Sequence, residues 1–188
     1  MWIEGNYRRN LMDMHIDDWN PEFLSKINVE EYVEALKDAG VQAAMVKGKP
    51  HTGLCYYPTK IGRMHRGLKG YDFLGEMIKV CHANNIAVIA YFSQIFDNWA
   101  YEEHPAWRVV TAEGKNMRQY RHGSDFKTGR YGIVCPNNQE YRAYVKASLT
   151  EMNTLYDFEG MFLDMTFFPE VCYCSSCRSR PRGKRSCQ

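Results

Sequence analysis

The chain has 188 residues, 45% of them hydrophobic and 14% aromatic, which suits one globular domain and excludes disordered and collagen-like classes. No run approaches roughly eighteen consecutive apolar residues, and the opening Met-Trp-Ile-Glu-Gly-Asn-Tyr-Arg-Arg-Asn lacks the apolar core of a secretory signal, so the expectation is a soluble, cytoplasmic protein with no membrane partner. The formal charge of +2 comes from five basic residues in 178–188; without them 19 basic residues face 22 acidic ones, which argues against nucleic acid as a partner of the body.

Short apolar runs alternate with longer amphipathic segments, the pattern of β-α-β units around a parallel sheet. Residues 11–14 read as a short first strand. Asn28-Val-Glu-Glu31 forms a capping box opening a helix that carries Tyr32, Val33 and Leu36 and ends at Gly40. Residues 41–46 form the second strand, followed by a loop rich in Gly and Lys to about Lys69. Asp72 caps a second helix with Phe73, Leu74, Met77, Ile78 and Cys81 on one face. The run Ile-Ala-Val-Ile-Ala-Tyr-Phe at 86–92 is the clearest strand, apolar throughout as a parallel sheet covered on both faces requires. A long connection to about Pro136 holds Trp99, Tyr101, His104, Trp107, Tyr120 and His122, an aromatic content that predicts a folded loop over a cleft. A third helix follows Asn137-Asn138, and Gly160-Met-Phe-Leu-Asp164 makes the fourth strand. No Gly-x-Gly-x-x-Gly loop follows the first strand, which points away from a dinucleotide-binding sheet. Four strands are half of a (β/α)8 TIM-type barrel, which needs about 250 residues. The expected architecture is therefore an α/β fold truncated to about the first four βα units, with residues 1–177 as half a barrel and 178–188 as a basic tail.

Seven cysteines are an odd number, and Cys172-Tyr-Cys174-Ser-Ser-Cys177 crowds three of them together, so a disulfide framework is not the reading. Three thiolates around one structural zinc fit better, with a fourth ligand from elsewhere; Cys135 is the candidate.

In a parallel α/β fold, functional groups collect where strands run into their following loops. The four strands deliver, in turn, His15, Asp17, Asp18 and Trp19; Lys47, Lys49 and His51; Tyr91, Ser93 and Gln94; and Asp164. Carboxylates, imidazoles, a lysine and aromatic faces on one rim suit a carbohydrate substrate and glycoside hydrolysis. Asp164 is the sharpest residue, because an acid after three apolar strand residues needs a partner. It is either a catalytic nucleophile of the retaining kind or a strand-end cap that neutralises Lys47. His51 lies in a loop too polar to be core. His15 is either a substrate group or a satisfied buried histidine. Trp99, Tyr101 and Trp107 form either a stacking platform or the small core of their own loop. His82 and Cys81 read as ordinary helix positions.

Val46-Lys-Gly-Lys-Pro-His-Thr-Gly-Leu-Cys-Tyr-Tyr-Pro-Thr-Lys60, Asp72-Phe-Leu-Gly-Glu76 and Ile86-Ala-Val-Ile-Ala-Tyr-Phe-Ser93 together resemble the α-L-fucosidase-like barrel. That family carries a Lys-His-His-Asp-Gly-Phe loop, a Ser-Lys segment and a strand ending Tyr-Tyr-Ser. Its fourth strand ends in Trp-Phe-Asp-Gly with the Asp as nucleophile; Phe162-Leu-Asp164 is similar, with Met165 in place of the Gly. Cys135-Pro-Asn-Asn-Gln-Glu-Tyr-Arg142 and the Cys172–Cys177 cluster resemble family 42 β-galactosidases, whose zinc cluster follows the fourth strand. Those enzymes place an Asn-Glu pair where this chain has Met165-Thr166, which argues against β-galactosidase chemistry. The combined resemblance, over about residues 7–178, is to glycosyl hydrolases related to α-L-fucosidases. It implies Asp164 as nucleophile, His15, Lys47, His51, Tyr91 and Trp99 as substrate-binding groups, and an acid/base beyond these residues, so that the chain alone is inactive. A half barrel also exposes sheet edges, which a homo-oligomer or other partner chains would cover. The rival from another class is a carbohydrate-binding or assembly module that kept the rim and lost the chemistry.

Overall fold

The computed structural model describes residues 2–118, 129–168 and 171–179. Tyr120, His122 and the tail residues Arg180, Arg182, Lys184, Arg185 and Cys187 lie outside them. Four strands, β1 (Arg9–Leu11), β2 (Ala43–Lys49), β3 (Ala87–Ser93) and β4 (Gly160–Asp164), form one sheet in which every pairing is parallel. Their order is β1-β2-β3-β4, with no reversal. Helix α1 (Val29–Asp38) joins β1 to β2, and α2 (Phe73–Ala83) joins β2 to β3. The connection from β3 to β4 contains α3 (Asn98–Glu103) and α4 (Gln139–Leu155), and α5 (Ser175–Arg178) follows β4.

The three longer helices begin where the sequence provides an Asx cap. Asn28, Asp72 and Asn138 accept hydrogen bonds from the amides of Glu31 (3.1 Å), Gly75 (2.9 Å) and Tyr141 (2.9 Å), satisfying donors that helical geometry leaves open. On one sheet face Ala44, Val46, Val88, Ala90 and Phe92 pack on Val33 and Leu36 of α1, Phe73, Leu74 and Met77 of α2, and Met152 of α4. The alternate residues, Met45, Lys47, Ile89, Tyr91 and Phe162, face the other way and lie outside that core. Phe162 is 42% exposed and Leu11 47%.

The first strand is displaced from its expected place: it covers Arg9–Leu11 and not 11–14. The chain leaves the sheet after Leu11 because Asp13 and His15 are spent on side-chain contacts with the following strands. The second strand runs three residues further than expected, to Lys49, and both of its lysines are buried. A register shift between Lys47 and Lys49 makes this possible: Lys47 pairs with Tyr91, yet Lys49 pairs with Phe92. The bulge turns the second ammonium away from the first. It centres on Gly48, where a Cβ would sit 2.6 Å from Met152 Sδ and 3.3 Å from the Tyr91 carbonyl.

Lys49 Nζ then donates to Asp97 Oδ2 at 2.6 Å and to the Ser93 carbonyl at 2.9 Å, with both charged side chains fully buried. Asp97 also caps α3 through the Ala100 amide at 2.9 Å. Removing one partner of a buried pair strands the other charge, at a cost of about 3–5 kcal/mol. Lys49→Met should therefore lower the unfolding free energy by that amount, and Lys49→Met/Asp97→Leu should recover most of it. A single substitution that leaves the denaturation midpoint unmoved would contradict this account.

The described parts of the long connection, 94–118 and 129–136, are folded, as its aromatic content predicts. Tyr101 and Trp107 are buried with Val134, Tyr141 and Tyr144, so they are core residues and not a stacking platform. Ile95, Phe96, Val109, Met117 and Ile133 form a further cluster with Cys135, Cys172, Cys174 and Cys177. Among the described residues no helix is long and apolar enough to cross a membrane.

Candidate active site

The C-terminal ends of the four strands bring Asp13 and His15, Lys47 and His51, Tyr91 and Ser93, and Asp164 onto one rim; of the expected residues Tyr91 and His51 approach Asp164 itself, and Lys47 and His15 pack against those two. Lys47 Nζ sits 3.1 Å from Asp13 Oδ1 and 3.3 Å from the centre of the Tyr91 ring, so its partner is Asp13 and not Asp164. Asp164 instead accepts a short hydrogen bond from the Tyr91 hydroxyl on Oδ2, and one from the Met165 amide on Oδ1 at 2.8 Å. His51 Nε2 is 3.7 Å from Asp164 Oδ2.

The hydrogen bonds fix both imidazole tautomers. His15 Nδ1 accepts from the His51 amide at 3.1 Å, so its proton is on Nε2, which lies 2.8 Å from Asp13 Oδ1. The Ser93 hydroxyl donates to the Phe96 carbonyl at 2.8 Å, so it accepts from His51 Nδ1 at 2.7 Å. That leaves His51 Nε2 as a bare acceptor beside a carboxylate, an arrangement that a ligand hydroxyl group completes by donating. The two rings stack with centroids 3.9 Å apart, and Tyr131 closes over His51 at 4.9 Å.

The electrostatics agree with neutral imidazoles. Burial, then the Lys47 charge, pushes His15 from 6.5 down to about 4. Burial, then His15, takes His51 down to about 3. For Asp13, burial acts upward, but the hydrogen bond from Lys47 and the His15 and Lys47 charges outweigh it and hold the carboxyl low. Burial, then the hydrogen bond to Asp164, raises Tyr91, which keeps its proton and remains a donor.

These shifts have a measurable consequence for stability. Both histidines titrate at 6.5 when unfolded but at about 4 and about 3 when folded. Below pH 6.5 the unfolded chain takes up protons that the folded chain refuses. Their contribution is complete above pH 6.5 and is lost as pH falls toward 4, with a limiting slope of about 2.7 kcal/mol per pH unit for two groups. Denaturant titrations between pH 7.5 and 4.5 should show this loss, with His51→Asn removing about half of it; a flat profile over that range would count against it.

Trp99 stands apart from this group. It packs on Tyr144 and His104, with ring centroids 5.5 and 5.7 Å away, and lines a neighbouring cavity. Sequence reasoning gave no role to Asp13 or Tyr131, although Asp13 and His15 stand two apart in Met-Asp-Met-His, a spacing that puts both on one side of an extended chain. His65 caps a turn through the Gly67 amide, His104 stacks on Trp107, and His82 pairs with Glu159 at the surface.

The second group at this end is made of sulfur. Cys135, Cys172, Cys174 and Cys177 are buried, and their Sγ atoms all lie within 4.8 Å of one another. Cys135 Sγ is 3.5 Å from Cys177 Sγ and 3.6 Å from Cys174 Sγ. A tetrahedral zinc with Zn–S bonds of about 2.3 Å has edges of about 3.8 Å, so the donor set fits that ion.

The family described as hypothetical glycosyl hydrolase 6 matches residues 28–165. The chain belongs to that family. It matches none of the curated proteins. Its fold is similar to alpha-L-fucosidase isoenzyme 2 from Paenibacillus thiaminolyticus, with TM-score 0.81 and 26% identity over 92% of this chain and 25% of that one. It is also similar to the alpha-fucosidase of Thermotoga maritima (TM-score 0.54, 24% identity, 75% of this chain and 29% of that one). A hypothetical protein from Ruminiclostridium thermocellum ATCC 27405 is similar at TM-score 0.58 and 21% identity, over 76% of this chain and 71% of that one. The fold is thus an α/β fold with a parallel sheet like that of fucosidase catalytic domains. The chain spans between a quarter and a third of the length of these fucosidases, at 25% and 29%.

Proposed function

We propose that this chain supplies the first four βα units of a (β/α)8 barrel in a retaining, α-L-fucosidase-like glycoside hydrolase. The observation that carries the reading is the setting of Asp164. Its carboxylate stands at the C-terminal end of β4, held by the Tyr91 hydroxyl and the Met165 amide, with His51 Nε2 3.7 Å away. Asp164 attacks the anomeric carbon and expels the leaving oxygen, forming a glycosyl-enzyme ester; a carboxylic acid outside these residues protonates the leaving oxygen and then activates water. His51 Nε2 accepts from one sugar hydroxyl, and the Lys47–Asp13–His15 group offers donors and acceptors to others. The unreversed strand order supports the barrel, because further βα units would continue the sheet from β4 and enclose the face that carries Phe162.

Titration of the chain with L-fucose, followed through the imidazole carbon-bound protons by NMR, tests the site. Saturable shifts of His15 and His51 are expected, weakened about tenfold or more in Asp164→Asn. A flat titration, or unchanged affinity in that variant, would overturn the reading. With the acid/base absent, the chain alone should not turn over aryl fucosides.

We also propose that Cys135, Cys172, Cys174 and Cys177 hold one structural zinc. With four thiolates it leaves no open position, so it ties the segment before α4 to the segment after β4 and takes no part in the reaction.

A further inference from the structure

Beside the Asp164 site, the same rim carries a second cavity of about 220 Å3. Three successive strand-to-helix loops build it: Asp17, Asp18 and Trp19 follow β1, Thr52 follows β2, and Trp99 and Glu103 follow β3. Thr52 is the neighbour of His51, and Asp17 lies two residues beyond His15, so the cavity backs onto the loops that form the first site. Amides of Asn98 and Trp99 donate to the carbonyls of His51 and Thr52, both at 3.1 Å, and lock the first turn of α3 against that wall.

Three features point to a ligand. The cavity lies below the range of about 300–1,000 Å3 common for drug-sized ligands, the scale of one sugar ring. Two indoles border it: Trp19 is 72% exposed yet held edge-on by Phe23 at 4.7 Å, and Trp99 is anchored by Tyr144 and His104. Four carboxylates and one cation, Arg63, line the cavity. Asp18 is occupied by Arg63 and Arg66, both at 3.2 Å, but no hydrogen bond or ion pair reaches the carboxylates of Asp17 and Glu103 among the described residues. Unpaired carboxylates accept from hydroxyls and repel anions.

We infer that this cavity is a subsite for an uncharged pyranose on the leaving-group side of the scissile bond, stacked between Trp19 and Trp99, and that it excludes acidic sugars. The inference rests on the proposed glycosidase reading, since a leaving-group side exists only if Asp164 marks the reacting carbon.

The test uses the whole chain and the indole N–H signals of Trp19 and Trp99, assigned by Trp19→Phe and Trp99→Phe. Methyl β-D-galactopyranoside should shift both signals saturably. Trp19→Ala, at an exposed position that does not threaten folding, should weaken binding about fivefold. D-Glucuronate at pH 7 should bind at least about tenfold more weakly. Equal binding of glucuronate, or galactoside shifts confined to His15 and His51, would overturn the subsite. If galactoside binds at the indoles while L-fucose fails to reach His51, the cavity stands as a sugar site but its leaving-group assignment falls with the glycosidase reading. If fucose binds at His51 and no sugar moves either indole, only the subsite is lost.

Discussion

Asp164→Ala is expected to lower turnover of an aryl α-L-fucoside by about four powers of ten or more, measured in a polypeptide that carries the βα units completing the barrel. The size follows from what the carboxylate does. In the retaining path it forms the bond that lets one difficult displacement proceed as two easier steps, and no other described carboxylate is placed to replace it: Asp13 is engaged with Lys47 and His15, and Asp97 is buried against Lys49. Alanine leaves space beside the anomeric carbon, so added azide should restore part of the rate and release a fucosyl azide of inverted configuration. Tyr91→Phe, which removes only the donor to Asp164, should cost far less, about tenfold to a hundredfold. Turnover of Asp164→Ala within about threefold of the parent would show that the strand-end carboxylate is a structural cap.

Chelation should produce the largest change in stability. The chain purified without chelator is expected to carry one zinc, and a strong chelator, or Cys172→Ser with Cys177→Ser, should lower the melting temperature by about 10 °C or more. Four buried thiols with Sγ atoms within 4.8 Å of one another form no disulfide here, and the proposed ion would let thiolates share that space without repelling. Replacing zinc by cobalt gives an independent check, since four thiolates around Co2+ produce an intense sulfur-to-metal charge-transfer band and a tetrahedral visible spectrum. A metal-free chain with an unchanged melting temperature would end the proposal.

Much of this architecture is written in local pattern. The run at 86–92 is apolar throughout because the faces of β3 meet helices on one side and site residues on the other. Asn28, Asp72 and Asn138 announce helix starts because a short side-chain acceptor just ahead of a helical apolar repeat caps the open amides of the first turn. What stayed hidden depends on pairings distant in sequence. The spacing of Lys47 and Lys49 suggests two ammonium groups on one rim, and only the bulge at Gly48, forced by the nearness of Met152, sends Lys49 to Asp97. Asp13 could be read as polar but not as the partner of Lys47, because that depends on where β1 ends. Trp99 was expected beside Asp164 and lines the adjoining cavity instead. The fourth cysteine was visible only as a candidate, since nothing in the spacing of Cys135 ties it to residues 37 positions downstream.

Strand order has a consequence for how the chain acquires this shape. Each strand docks on its immediate predecessor in the sequence, so the sheet can grow in the direction of synthesis, one βα unit at a time. Asp164, Cys172, Cys174 and Cys177 come with β4 and the residues after it. A nascent chain halted before β4 would already hold its histidines and Lys47 in place, but it would have neither the reacting carboxylate nor a sulfur trio to capture an ion. Of these four strands, the last to dock is therefore the one on which the proposed chemistry depends.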